Sequence, residues 1–377
     1  MGIARDCVVA WQAAASGVVA KTAQTRQKYW KHWANYASLC GIDPFLTSVP
    51  PIERDIVVTA FAARVRSGTF GRGTQIRVAG VTDALAAISK TIELAGKPSP
   101  IYRSDQKYTL AIERMVEGFR REDPLSTPQL AVPVSVPHTC FKAGLLSQNT
   151  KIMACGCLAN IAFYFLLRVG EYTKPRFIIR NGQKVRATRT IQFSVGNVGF
   201  FKNGKIIPRN SPLDLLITSD AATLKISNQK NGRMGETIHH EATKKEGCPI
   251  TALAHRVHHI ISNGGNNDTL LCDYHENEQW SSVTSQDIIQ LVRATVKSLN
   301  LHQNGIDADL VGSHSLRAGG AMALKLHNHS DTTIKKMGRW SSLTFLQYIH
   351  TQISHLAKDI SKDMSKPLPF LNIATIE

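Results

Sequence analysis

His314–His350 reads HSLRAGGAMALKLHNHSDTTIKKMGRWSSLTFLQYIH. A histidine and an arginine stand three residues apart, two glycines follow, and Tyr348 comes thirty-one residues after Arg317. In a helical segment that spacing puts His314 and Arg317 on one face. Gly319 and Gly320 each cost about 1 kcal/mol in a helix interior, so their retention implies another backbone at close range. A glycine-allowed helix crossing accounts for them equally well. His-x-x-Arg alone is weak, because many helices contain one by chance; its force comes from the company it keeps.

That company is spread along the chain. Ile152–Leu167 (IMACGCLANIAFYFLL) carries no charge over sixteen residues and ends at Arg168. It is shorter than the ~20 residues a bilayer needs, so it reads as a helix buried on all sides of a core. An always-charged guanidinium at its end calls for an anionic partner. In TLKISNQKNGRMGETIHH, Leu224 and Ile226 alternate with polar residues, and Asn231-Gly232 is a tight-turn signal. The stretch reads as a hairpin with Lys230 at its tip and Lys225 within a strand. Two arginines, a lysine, a histidine and a tyrosine, with no acidic cluster to hold a metal, suit metal-free attack on a phosphodiester.

Composition points the same way. Lys and Arg number 45 against 28 Asp and Glu, a formal net charge of +17 in 377 residues. An excess spread over the whole chain, rather than confined to a tail, selects a polyanionic partner, chiefly nucleic acid. The bland alternative is a basic surface kept for solubility. Seven scattered cysteines, an odd count with no paired framework, indicate a reducing compartment. Cys155 and Cys157 form CxC inside the apolar helix and read as buried small hydrophobes. The N-terminus lacks a signal-peptide layout, so the expected protein is soluble and intracellular, with no membrane partner.

The first part looks helical. Tyr29, Trp33, Tyr36 and Cys40 recur at helical spacing, with Lys28, Lys31, His32 and Asn35 between them. Asp55–Val65 is a second amphipathic stretch, Val78–Ala95 a third, and a fourth helix starts after Ser104 and ends at Arg120–Arg121. GTFGRG, between the second and third, has no preceding strand and no following Lys-Ser/Thr, which argues against a nucleotide-binding loop. Prolines at 124, 128, 133 and 137 make an extended, helix-free connector. The expected layout is a helical domain over 1–123, a Pro-rich linker over 124–137 and a second domain over 138–377. Within the second, Thr190–Val195 and Phe200–Pro208 look strand-like, the latter broken at Asn203-Gly204. Helical periodicity returns from Ile250 almost to the end. The fold class is mainly α with a small antiparallel β-sheet, an α+β arrangement.

The second part resembles the catalytic domain of the tyrosine recombinases, the phage-integrase family, and most closely the recombinases of Crypton and DIRS-type mobile elements. The matching segments are LLRVGEYTK, SNQKNGRMG, HSLRAGGA and GRWSSLTFLQYIH, in the family's order of Arg, Lys, His-x-x-Arg and Tyr. The first part is similar, more vaguely, to the family's helical core-binding domain.

The resemblance implies a metal- and ATP-independent DNA strand cleavage and rejoining with no cofactor. Tyr348 would attack the scissile phosphate, leaving a 3′-phosphotyrosyl enzyme and a free 5′-hydroxyl. A phenol with pKa about 10 needs a cationic setting and a proton acceptor. Arg168 and Arg317 would grip the non-bridging oxygens. His314 would hydrogen-bond the same phosphate and accept the tyrosine proton. Lys230, with Lys225 as the alternative, would protonate the departing oxygen, and Glu171 would hold one of these side chains in place. The family commonly has a His or Trp nine residues before the nucleophile. Here that position is Arg339, with Trp340 one place later; Trp340 is the preferred packing and hydrogen-bonding group and Arg339 the alternative.

The same resemblance implies double-stranded DNA with inverted half-sites as partner, and a homodimer that assembles to a homotetramer in synapsis. A C-terminal helix after Tyr348 would be donated to a neighbouring protomer. Arg26, Arg72, Arg77 and Lys90 are weak DNA-contact candidates in the first domain; Arg186, Arg189 and Arg233 track phosphates or are simply solvated. The location is the nucleus if the source is eukaryotic, otherwise the cytoplasm or nucleoid. HRVHH at 255–259 and His239-His240-Glu241 have ligand-type residues, but no spacing closes a recognised metal site. A catalytically inactive, domesticated DNA-binding protein derived from a mobile-element recombinase is the alternative, and a type IB topoisomerase a third reading. Both are disfavoured, the first because all five chemical groups have candidates, the second by the short chain.

Overall fold

The computed structural model describes residues 6, 9, 17–71, 73–124, 129–180, 182–227 and 235–348. Arg72, Lys230, Asn231-Gly232, Arg233 and the proposed C-terminal helix lie outside the described residues. The chain divides into two compact units, 1–126 with 176–189, and 127–175 with 190–377. Each is described separately.

The first unit is built on α1 (Ala20–Leu39), α2 (Pro51–Arg66), α3 (Val78–Leu94) and α4 (Leu110–Glu122). The aromatic stripe of α1 faces the core: Trp33 is fully buried, its indole N–H donates to the Pro44 carbonyl at 2.7 Å, and Phe61 meets it edge-on at 5.2 Å. Cys40, expected in that stripe, is exposed, because α1 ends at Leu39. Helix α4 begins at Leu110 rather than just after Ser104. The intervening residues form a Tyr102–Tyr108 bridge with stacked rings, tightened by Asp105 accepting the Lys107 N–H at 3.1 Å and by a left-handed Gln106. A short hairpin of β1 (Phe177–Arg180) and β2 (Gln183–Arg186) completes the unit, with β1 packed on α1.

In the second unit α5 (Ser135–Leu146) lies against α6 (Thr150–Tyr164). The extended connector expected over 124–137 therefore gives way to helix at Ser135; Pro137 is tolerated there because the first turn of a helix needs no N–H from it. Gly156 permits the close approach, since a Cβ there would sit 2.4 Å from the Cys140 carbonyl oxygen. As its uniform hydrophobicity implies, α6 is buried without break from Ala154 to Phe163, Cys155 and Cys157 included.

A left-handed Leu166 then turns the chain into the short α7 (Val169–Tyr172). An antiparallel sheet follows in the order β4-β3-β5-β6, made of β3 (Val198–Lys202), β4 (Lys205–Ile207), β5 (Ala221–Lys225) and β6 (Thr237–Glu241), with α8 (Leu213–Ile217) between β4 and β5. Both expected hairpins are present, the first turning at Asn203-Gly204. Thr190–Val195 is not a strand: it makes a single bridge, Ser194 to Leu270, before a 3-10 turn at Val195–Asn197.

Helix α9 (Pro249–Ser262) opens the C-terminal portion, but helix does not persist. A hairpin of β7 (Asp273–Glu276) and β8 (Gln279–Ser282) intervenes, its tip formed by left-handed Asn277 and Glu278 as a tight two-residue turn requires. Then come α10 (Ser285–Ser298), α11 (Ser315–Leu326), α12 (Asp331–Gly338) and a 3-10 segment, Leu343–Tyr348. The architecture is mainly helical with small antiparallel sheets, as the sequence implies. No described helix is long and apolar enough to cross a membrane.

Candidate active site

Arg317 lies in the first turns of α11 and is 2% exposed. Its guanidinium donates to the Leu166 carbonyl at 2.6 Å and to the Gly338 carbonyl, and it sits 4.2 Å over the Trp340 ring. The two glycines after it explain how the helix gets that deep. A Cβ on Gly319 would lie 2.1 Å from the Val132 carbonyl oxygen, and one on Gly320 2.2 Å from that of Phe163. The close backbone inferred from the sequence is present at both positions.

Arg168 does not end the buried helix; it is the N-cap residue of α7, two residues past the left-handed Leu166. Glu171, 2% exposed, reaches back to the Arg168 backbone N–H at 2.8 Å and to its guanidinium at 3.2 Å. Arg168 also donates to the Arg339 carbonyl at 3.3 Å. Arg168 and Arg317 therefore hold successive carbonyls of one backbone segment, Gly338 and Arg339, although they are contributed by α7 and α11.

Arg339 itself points inward. It is 2% exposed and donates to Glu171 at 2.8 Å and to the Leu166 carbonyl at 3.3 Å, while its Nε and Nη1 find no hydrogen-bond partner among the described residues. Burial lowers its pKa below the ordinary guanidinium range, and the Glu171 charge pulls it back up. A left-handed backbone at Arg339 makes this inward turn. Trp340 is 8% exposed, packed between Arg317 and Phe345, and its ring fills the space a side chain at position 338 would need. Three guanidinium groups thus contact or neighbour one carboxylate, with Glu236 acting on Arg339 at longer range. Among the described residues the cluster is net cationic.

His314 is the exposed N-cap residue of α11, one turn before Arg317, and its backbone N–H is held by the Gln129 side chain at 2.9 Å. The 3-10 segment Leu343–Tyr348 packs on α11 through the fully buried Phe345. It replaces the ordinary helix expected around Tyr348. The Tyr348 side chain lies outside what is described. Lys225 is exposed at the turn-side end of the β5–β6 pairing, opposite Thr237.

In the first unit Lys90 pairs with Glu93 at 2.7 Å, Arg77 is exposed, and Arg26 is half-buried. The histidines divide by burial. His259 accepts the His275 N–H at 3.1 Å, and desolvation lowers both His259 and His240 to about 4. Among the described residues no group of three or more His, Cys, Asp or Glu could hold a metal ion.

What the sequence could not supply were the acceptors. The carbonyls of Leu166, Gly338 and Arg339 are backbone atoms with no residue signature, and Gln129 stands in the segment read as linker. The Arg339–Glu171 contact had half a signal, an arginine directly after a glycine in a block otherwise matched by motif.

No protein-family model matches the chain, and no curated protein matches it in sequence. Solved structures similar to it include the XerH site-specific recombinase bound to difH substrate in a pre-cleavage complex, with TM-score 0.44, 13% identity, and coverage of 82% of this chain and 70% of that one. The Tn1549 transposon integrase in complex with transposon right end DNA gives TM-score 0.42 and 9% identity over 83% and 85% of the two chains. XerA recombinase gives 0.38 and 13% over 91% and 93%.

Proposed function

We propose that the chain cleaves and rejoins DNA strands through a 3′-phosphotyrosyl intermediate at Tyr348, without metal or ATP. The observation that carries this reading is the convergence of Arg168 and Arg317 on the adjacent carbonyls of Gly338 and Arg339. They sit beside a carboxylate that orients one of them and next to the segment that ends in Tyr348. A guanidinium pair fixed in this way presents preorganised donors to a phosphate whose charge grows as a phosphorane forms. Reorganisation has already been met in folding.

His314 stands on the same helix at its N-terminal end, where the peptide dipoles also favour an anion. In this reading it hydrogen-bonds the phosphate and takes the phenolic proton. Arg339 serves by holding Glu171, and so Arg168, in place, and Trp340 by stacking on Arg317. The leaving 5′-oxygen takes its proton from Lys230. The bond energy is kept in the tyrosyl ester, so a second 5′-hydroxyl can reverse the step and exchange partners. A first domain that grips duplex DNA, two-fold related half-sites, dimers pairing into tetramers and an origin in a Crypton- or DIRS-type element belong to the same proposal.

Trapping with sodium dodecyl sulfate tests it. The wild-type chain, incubated with a fragmented DNA library, forms a covalent adduct whose sequenced ends mark the target. Tyr348→Phe retains DNA affinity and forms none. Lys230→Ala slows cleavage, and a 5′-phosphorothiolate substrate, with its better leaving group, restores it. An adduct that persists in Tyr348→Phe removes the tyrosine from this role. DNA binding without any wild-type adduct assigns the chain to the non-catalytic, DNA-binding class.

A further inference from the structure

We propose that the β1–β2 hairpin is a DNA-binding ribbon, its outer face laid against the sugar-phosphate backbone of a duplex. The inference rests on the strand-transfer reading for the choice of nucleic acid, and goes beyond it by assigning a contact surface outside the cationic cluster.

Residues 176–189 read RFIIRNGQKVRATR, with five cationic side chains and no carboxylate. The strand register sorts them. Phe177 opposite Arg186 and Ile179 opposite Lys184 fall on one face, and Ile178 opposite Val185 falls on the other. The second face is half-buried, and β1 packs on α1, where the Ala187 carbonyl accepts the Lys21 N–H at 3.4 Å. The first face is turned out: Phe177 is 43% and Ile179 65% exposed, with Lys184 and Arg186 exposed beside them.

An exposed aromatic and an exposed isoleucine add nothing to the core of this unit. Phe177 instead organises the charges, with the Lys184 ammonium 4.8 Å and the Arg186 guanidinium 5.8 Å from its ring centre. Arg176 and Arg189 extend the exposed basic surface at the open end of the hairpin. Fixed cations at ribbon spacing, interleaved with apolar groups, match phosphates alternating with deoxyribose. A two-stranded ribbon is also of a size that the major groove of duplex DNA admits. The overall charge of +17 agrees with a polyanion as occupant. An anionic phospholipid surface has charge alone in common with DNA, and no described helix is long and apolar enough to cross a membrane.

The test uses the full chain and a mixed-sequence duplex, with affinity measured by fluorescence anisotropy over a range of KCl. Lys184→Ala/Arg186→Ala is compared with wild type and with Lys244→Ala/Lys245→Ala, a control of equal charge loss. Loss of two phosphate contacts lowers the slope of log K against log salt by about 1.8, which weakens binding about sixtyfold at 0.1 M salt when extrapolated from 1 M. Circular dichroism checks folding, and Lys184→Gln/Arg186→Gln is the second variant should the first unfold. An unchanged slope, or an equal drop in the control pair, overturns the hairpin assignment and leaves strand transfer standing. Wild-type protein that binds anionic vesicles but no duplex overturns both.

Discussion

At the scale of single residues, Glu171 is the side chain on which the site depends most. It is buried, and it bonds the backbone and guanidinium of Arg168 and the guanidinium of Arg339. Removing one member of a buried charge pair leaves the other uncompensated, which costs about 3–5 kcal/mol. Glu171→Ala is therefore expected to lower the unfolding free energy by about that amount in urea titrations, far more than deletion of an exposed carboxylate such as Glu113. A loss below about 1 kcal/mol, the range of surface pairs, would contradict the buried ion-pair assignment. Arg339 shows how far the residues could be read in advance. Its position was marked by motif, but whether its guanidinium faced outward or toward Glu171 depended on a left-handed backbone that no residue pattern announces.

Among elements, α11 combines an unusually deep seat with a functional load. Gly320→Ala improves intrinsic helix propensity by about 1 kcal/mol. It also places a methyl 2.2 Å from the Phe163 carbonyl oxygen and 2.4 Å from Leu166 Cδ2. Overpacking against backbone costs about 1–3 kcal/mol or more, so steric strain wins. The variant is expected to melt at lower temperature and to lose the strand cleavage proposed for the chain, because Leu166 carries the carbonyl shared by Arg317 and Arg339. A melt at or above the wild-type temperature would show that the backbone can yield here. Helices were the legible elements: α1, α2, α3 and α6 follow from periodicity or from an uninterrupted apolar run. Short strands were less so. The β7–β8 hairpin lies in a region read as helical because its turn residues, Asn277 and Glu278, lack the glycine that usually marks such a turn.

For the whole molecule the half-buried histidines set a pH dependence. His240 and His259 drop from 6.5 to about 4, chiefly through burial, and His138 and His255 move in the same direction. Folding favours the neutral rings, so between these values the unfolded chain binds more protons than the folded one. Stability is fully present above the unfolded value of 6.5 and falls as pH drops through that window toward 4. Urea midpoints should decrease from about pH 7 to about pH 5, and His240→Phe should flatten the trend. A flat wild-type profile would show that these rings take up protons when folded.

By itself the sequence determined which groups are available and in what order: a basic chain, amphipathic helices, one helix buried on every side, and Arg168, Arg317 and Tyr348 in blocks of recognisable spacing. These follow from local rules, since periodicity and turn chemistry act over a few residues. The tertiary structure alone decided that Arg168 and Arg317 meet on neighbouring carbonyls, that Arg339 turns in to Glu171, and that the β1–β2 hairpin packs with α1. Such contacts join segments far apart in the chain, often through backbone oxygens common to every residue, and only packing selects among them.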